Sequence, residues 1–130
     1  MKIFGIGTDI VNINRIDKSI KKNGTRFKHK IFSKNEMKYC DNKKNPRSFY
    51  AKRFAAKEAF SKALGTGIRK EVKLNNIEVS NDSSGKPSLN IKGSTLTYLN
   101  KKLKNKNYKI YLSLSDDFPW AQATVIISHN

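Results

Sequence analysis

Apolar and polar positions change period several times along the chain, and each change marks an element. Residues 3–11, Ile3-Phe4-Gly5-Ile6-Gly7-Thr8-Asp9-Ile10-Val11, alternate as a strand with Ile3, Gly5, Gly7, Asp9 and Val11 on one face. From about 12 to 31 the period becomes helical. Ile13, Ile16, Ile20, Phe27 and Ile31 share one stripe, and Arg15, Lys18, Lys22, Arg26 and Lys30 share the opposite one. Gly24 divides this stretch into two helices. Ser33 and Glu36 have capping-box spacing for a short helix over 33–43, in which Cys40 packs into a core. Pro46 opens a long helix to about 64, whose apolar face carries Phe49, Ala56, Phe60 and Ala63 and which Gly65 or Gly67 stops.

The second half reads as a hairpin, 77–79 with 88–91 around 82–87, then a lysine-rich helix over 94–104. Two closing strands, about 109–115 and 121–128, flank Asp116-Asp117-Phe118-Pro119-Trp120. The sum is one α+β unit over 1–130: an N-terminal strand, helices, then a small antiparallel sheet packed on the long central helix. No repeat or linker interrupts it. No apolar run approaches the roughly 20 residues that span a bilayer. The N-terminus lacks a signal-peptide layout, and the one cysteine among 130 residues suits a reducing compartment. A cytoplasmic protein is expected.

A formal net charge of +17 adds an anionic partner to this picture without naming it. Nucleic acid, an acidic protein and a phosphorylated cofactor all fit, and part of the lysine excess is a solvated surface. The five cations facing away from the apolar stripe of 12–31 have no acid among them, which suits docking of an acidic partner.

Two carboxylates narrow the chemistry. Asp9 lies inside an apolar strand, where an unpaired charge is costly, so it needs a partner. The glycines at 5 and 7 leave its face open, as a ligand approaching the backbone requires. On the long helix Glu58 stands among Arg53, Lys57 and Lys62, cations that suit phosphates. Glu58 and Lys62 are also spaced for an exposed ion pair contributing roughly 0.2–0.5 kcal/mol. Asp9 and Glu58 together suggest a metal-assisted site for a phosphorylated substrate. Competing chemistries lack their residues. His29 and His129 stand alone, Ser113 and Ser115 have no nucleophile elbow, and Gly5-Ile6-Gly7 has no third glycine.

The motifs Gly5-Ile6-Gly7-Thr8-Asp9-Ile10-Val11, Arg15-Ile16 and, above all, Arg53-Phe54-Ala55-Ala56-Lys57-Glu58-Ala59-Phe60-Ser61-Lys62-Ala63-Leu64-Gly65-Thr66-Gly67 resemble the holo-acyl-carrier-protein synthases. These are small 4'-phosphopantetheinyl transferases. Gly85-Lys86-Pro87 and Leu112-Ser113-Leu114-Ser115 extend the resemblance over nearly the whole chain. It implies transfer of phosphopantetheine from coenzyme A to a serine of apo-acyl carrier protein, releasing adenosine 3',5'-bisphosphate in support of fatty acid biosynthesis. It further implies that Asp9 and Glu58 hold Mg²⁺ on the pyrophosphate, while Lys62 stabilises the same phosphates. Arg53 and the Gly65 backbone would bind the nucleotide half, with Lys86 and Pro87 near the adenine. Glu58 or a metal-bound water would take the serine proton.

By the same resemblance Arg15, Arg26 and Lys30, within the stripe that includes Lys18 and Lys22, would meet the acidic carrier, with Phe27 as an apolar contact. A homotrimer with sites at subunit boundaries is implied as well. One position departs from the family: Asp116 stands where many members have a histidine near the nucleotide phosphate. It is left out of the site. A basic nucleic-acid-binding protein and a non-catalytic carrier-binding scaffold are the rival readings. The first has no recognisable motif, and the second has no use for Asp9, Glu58 and Lys62 together.

Overall fold

In the computed structural model, which describes every residue except Ile68, one helix occupies the centre and everything else is placed by it. The chain runs β1 (Lys2–Asn12), α1 (Ile13–Ile31), α2 (Lys34–Asp41), α3 (Pro46–Leu64), β2 (Ile77–Asn81), β3 (Pro87–Ile91), α4 (Gly93–Lys102), β4 (Tyr108–Asp117) and β5 (Trp120–His129). Strands β1, β5 and β4 form one antiparallel sheet with β5 in the middle, and β2 and β3 form a separate hairpin. The expected α+β class and the sheet packed on the long helix are found.

Helix α3 starts at Pro46, whose fixed φ suits a first turn, and ends at Gly65 in the left-handed region (φ 84°). Its burial goes beyond the single apolar face expected. Ala51, Ala55, Ala56, Ala59, Phe60, Ala63 and Leu64 are buried, and so are Arg53, Lys57 and Ser61. Alanines make this possible by letting neighbours come close on several sides. Phe49 is the exception: it packs edge-on to Tyr39 of α2, away from the main core.

The closest neighbour is β1, and here the reading of the glycines is corrected. A Cβ at Gly5 would collide with the Ala63 carbonyl oxygen, and one at Gly7 with the Ala59 carbonyl oxygen. Both glycines make room for α3, not for a ligand. A bulge between Ile3 and Gly5 also changes the face of the first residues. Phe4 therefore packs against the core, and Ile3, expected on the inner face, is 66% exposed. The outer face of the sheet is left apolar, with Ile6 and Ile10 of β1 and Tyr111 of β4 all largely exposed.

Helix α1 is kinked at Gly24 (φ 77°), as its position suggested, and α2 carries the complete Ser33–Glu36 capping box. Cys40 is fully buried, and burial pushes its thiol up to about 12, so it stays protonated and inert.

The core also contains a charged pair that was not foreseen. Lys57 donates to Glu36 Oε1 (2.7 Å), to the Leu74 carbonyl (2.9 Å) and to the Ile77 carbonyl. Glu36 in turn accepts from the Ser33 and Val79 amides. All three Lys57 donors are satisfied, so it is withdrawn from the cations available for phosphates. Burial lowers its pKa, and the Glu36 charge opposes that fall.

The steric argument is directly testable. Gly7→Ala should lower stability by about 3 kcal/mol, because backbone on both sides must move apart. A Cβ at Gly65, in the left-handed region, meets nothing, so Gly65→Ala should cost only about 1–2 kcal/mol of left-handed strain. Equal unfolding midpoints in urea for the two variants would contradict the packing described.

Candidate functional site

Asp9 comes from the middle of β1, where it stands opposite Ala123 of β5, and Glu58 and Lys62 come from the last two turns of α3. The close approach that Gly5 and Gly7 permit brings these residues together. Lys62 Nζ lies 3.0 Å from Asp9 Oδ1 and 3.0 Å from the Thr8 carbonyl oxygen. Lys62 therefore bridges to β1; the i,i+4 ion pair with Glu58 is not the contact it makes. The Asp9 side chain is 15% exposed and that of Lys62 52%, so a covered anion is met by an accessible cation.

Glu58 faces the same place. Burial raises its pKa above the ordinary 4.5, and the neighbouring Asp9 charge raises it further against the opposing pull of Lys62. The consequence for stability has a definite sign. Protonated Glu58 favours the fold, so this contribution is complete below the ordinary value and is lost as pH rises through the raised one. Two carboxylates thus converge on a single ammonium, an arrangement that favours a further cation. The C-terminal end of α3, the negative end of its dipole, acts in the same direction. Among the described residues no three His, Cys, Asp or Glu side chains gather, so a metal here would have two carboxylates from this chain. Mg²⁺ commonly takes one or two carboxylates and completes its shell with phosphate and water, and this donor set fits it.

A second group lies further back on α3. Arg53, expected to help bind the nucleotide half, is 1% exposed. Its Nη2 donates to Asn81 Oδ1 at 2.6 Å, and its guanidinium lies over the Tyr39 ring. Asn81 Nδ2 donates to the Gly85 carbonyl, so Arg53 reaches the Gly85-Lys86-Pro87 turn through an intermediary. Within one chain Arg53 is an internal support; Lys86 is exposed and Pro87 half-buried. Gly65 closes α3, and its amide is already donated to the Lys62 carbonyl (3.0 Å). Arg53 and Glu58 are five positions apart, about 7.5 Å along the helix axis.

On α1 the cations Arg15, Lys18, Lys22, Arg26 and Lys30 are all exposed, and the nearby Asp17 is paired with Lys21 at 3.0 Å. Phe27 is half-buried and lines an apolar recess of about 70 Å³ with Ile16, Ser19, Ile20, Ile31 and Phe54. The apolar stripe of α1 thus lines the recess, and its cations occupy the exposed side of the same helix. Asp116 is held by Lys52 at 3.0 Å, which ties the end of β4 to α3.

Sequence reasoning missed Asn81 and the buried role of Glu36. Glu36 was already accounted for as a capping residue, so nothing called for a second role. Lys57 did carry a signal. It lies between Arg53 and Phe60 at helical spacing, within the stripe that must face the core, and a buried ammonium requires a buried acid.

The profile of the 4'-phosphopantetheinyl transferase superfamily matches residues 5–123. A holo-[acyl-carrier-protein] synthase of Dinoroseobacter shibae is 43% identical over 128 residues, covering 97% of this chain and 91% of that one. The crystal structure of holo-[acyl-carrier-protein] synthase from Neisseria meningitidis superposes with a TM-score of 0.86 at 38% identity, covering 97% and 98% of the two chains. The Helicobacter pylori synthase, solved in complex with coenzyme A, gives 0.80 at 34% identity over 95% and 99%. With its central helix, its convergent carboxylates and these relatives over nearly its full length, the chain belongs to the 4'-phosphopantetheinyl transferase superfamily.

Proposed function

We propose that this chain is a holo-acyl-carrier-protein synthase. It moves 4'-phosphopantetheine from coenzyme A to a serine hydroxyl of apo-acyl carrier protein and releases adenosine 3',5'-bisphosphate. The observation that carries the reading is the convergence of Asp9, Glu58 and Lys62 where β1 crosses α3. The relatives' activity and the coenzyme A complex of one of them support it. In the reaction the carrier serine oxygen bonds to the phosphorus bearing pantetheine. The bond from that phosphorus to the bridging oxygen breaks, and the adenosine bisphosphate leaves with its electrons.

Asp9 and Glu58 would hold Mg²⁺, which when bound neutralises charge on the pyrophosphate and orients it for in-line attack. The Lys62 ammonium on Asp9 Oδ1 acts as a stand-in for that cation. Once Asp9 is otherwise engaged, Lys62 is free to turn its charge toward the phosphates. Glu58 would accept the serine proton, either directly or through water. The Gly85-Lys86-Pro87 turn would meet the nucleotide half. The exposed cations of α1 would receive the acidic carrier and steer its approach, with the Phe27 recess taking an apolar side chain.

Residues 1–130 would act as a single transferase domain in the cytoplasm; among the described residues no helix is long and apolar enough to cross a membrane. The exposed Ile6, Ile10 and Tyr111 face of the sheet supports self-association. A closed homotrimer would cover that face and complete each site from a neighbour.

Intact-mass spectrometry of an apo-acyl carrier protein incubated with this protein, coenzyme A and Mg²⁺ tests the reading. One phosphopantetheine arm should be added, with the rate reduced about 100-fold or more in Asp9→Asn and in Glu58→Gln. Folded variants that still transfer at the wild-type rate would sink the site assignment. Lys62→Met should bind Mn²⁺ roughly three- to tenfold more tightly in spin-resonance titrations while transferring more slowly. Unchanged or weaker Mn²⁺ binding would show that the ammonium is not a stand-in. Arg15→Glu with Arg26→Glu should raise the carrier KM about tenfold or more and leave the coenzyme A KM unaltered. An unchanged carrier KM would remove α1 from the docking surface.

A further inference from the structure

The β2–β3 hairpin lies outside the sheet that carries Asp9, so some contact must set the position of its tip relative to Glu58. Within the tip, Asp82 supplies the order. Its carboxylate accepts from the Ser84 amide (2.9 Å), the Ser84 hydroxyl (2.7 Å) and the Lys86 amide (2.9 Å). The Asp82 amide donates to the Lys86 carbonyl, and the Gly85 amide to the Asp82 carbonyl. The turn is therefore a preformed unit, and these bonds hold its carboxyl below the usual range. None of them reaches α3.

Asn81 does. It is the last residue of β2, paired in register with Pro87, and its amide group faces two ways. Oδ1 accepts from Arg53 Nη2 at 2.6 Å, and Nδ2 donates to the Gly85 carbonyl oxygen at 3.1 Å. The partners fix this orientation, since a guanidinium can only donate and a carbonyl can only accept. Arg53 is itself immobilised by burial and by the Tyr39 ring, and its Nε is buried without a hydrogen-bond partner among the described residues. A charge in that position depends heavily on the one side-chain acceptor it has. A carboxamide satisfies both demands at once, whereas a carboxylate would satisfy Arg53 and repel the Gly85 carbonyl.

We propose that Asn81 is a positioning residue for coenzyme A. It transmits the fixed location of Arg53 on α3 to the Gly85-Lys86-Pro87 turn, and so sets the spacing between the nucleotide-binding tip and the Asp9–Glu58 site. The inference rests on the transferase reading above. Asn81 touches neither the pyrophosphate nor the serine, so its loss acts on coenzyme A affinity and leaves the chemical step alone.

Two substitutions separate this role from plain support of the fold. Asn81→Ala removes both bonds, and Asn81→Asp removes only the bond to Gly85. Both should raise the coenzyme A KM roughly three- to tenfold, with kcat within about twofold and the carrier KM unchanged. Calorimetric titration with coenzyme A alone should show the same loss. Asn81→Asp should keep its melting temperature within a few degrees of wild type, because the Arg53 bond remains. A wild-type coenzyme A KM in a folded Asn81→Asp would overturn the proposal, as would a fall in kcat with no change in KM. Lys86→Ala serves as the reference. If it weakens coenzyme A binding and Asn81→Asp does not, the relay fails while the transferase reading stands. If Lys86→Ala also binds normally, the tip is not a nucleotide contact and the relay has nothing to position.

Discussion

Everything functional in this chain depends on how closely β1 approaches α3. Two missing side chains, at Gly5 and Gly7, allow strand backbone to lie against the Ala59 and Ala63 carbonyls. The next residue on that face is Asp9, which is carried to within reach of Lys62 and into the field of Glu58. The glycines and the carboxylate therefore belong to one device. The first two lower the strand onto the helix, and the third is what the lowered strand delivers.

Helix α3 can serve as the reference for so many elements because it is held on nearly every side. The sheet covers one flank, α1 and α2 cover another, and the Lys57–Glu36 pair fixes its rotation against the start of β2. Such a buried pair is a weak source of net stability, and its value lies in geometry. With Lys57 locked inward, the next residue, Glu58, is turned toward Asp9. Arg53, one turn earlier, is locked in the same way toward the hairpin. These charged residues of one helix thus divide into two structural cations, Arg53 and Lys57, and two groups available for chemistry, Glu58 and Lys62.

Much of the fold was legible because period carries it. The strand and helix spans, the Pro46 start, the Gly24 kink and the capping box follow from local spacing. The bulge after Ile3 was not legible, since it depends on register with β5, which local alternation does not encode. In the site, Asp9, Glu58 and Lys62 could be named singly, because each is a charge in an apolar or helical setting that demands a partner. Their pairing could not be read so well: helical spacing suggested Glu58 with Lys62, and tertiary approach gave Lys62 to Asp9 instead. Arg53 and Lys57 look like phosphate-binding cations in the sequence because a basic composition hides which charges are inside. Only packing against Asn81 and Glu36 distinguishes them.

The central claim is that strand and helix make one electrostatic unit of Asp9 and Glu58, and side-chain carboxyl NMR titration of the metal-free protein tests it most directly. Glu58 should titrate above the ordinary value of 4.5 in the wild type and fall back toward it in Asp9→Asn, where its charged neighbour is gone. A Glu58 that titrates at the ordinary value, unmoved by the Asp9 substitution, would mean that the two carboxylates do not share a site.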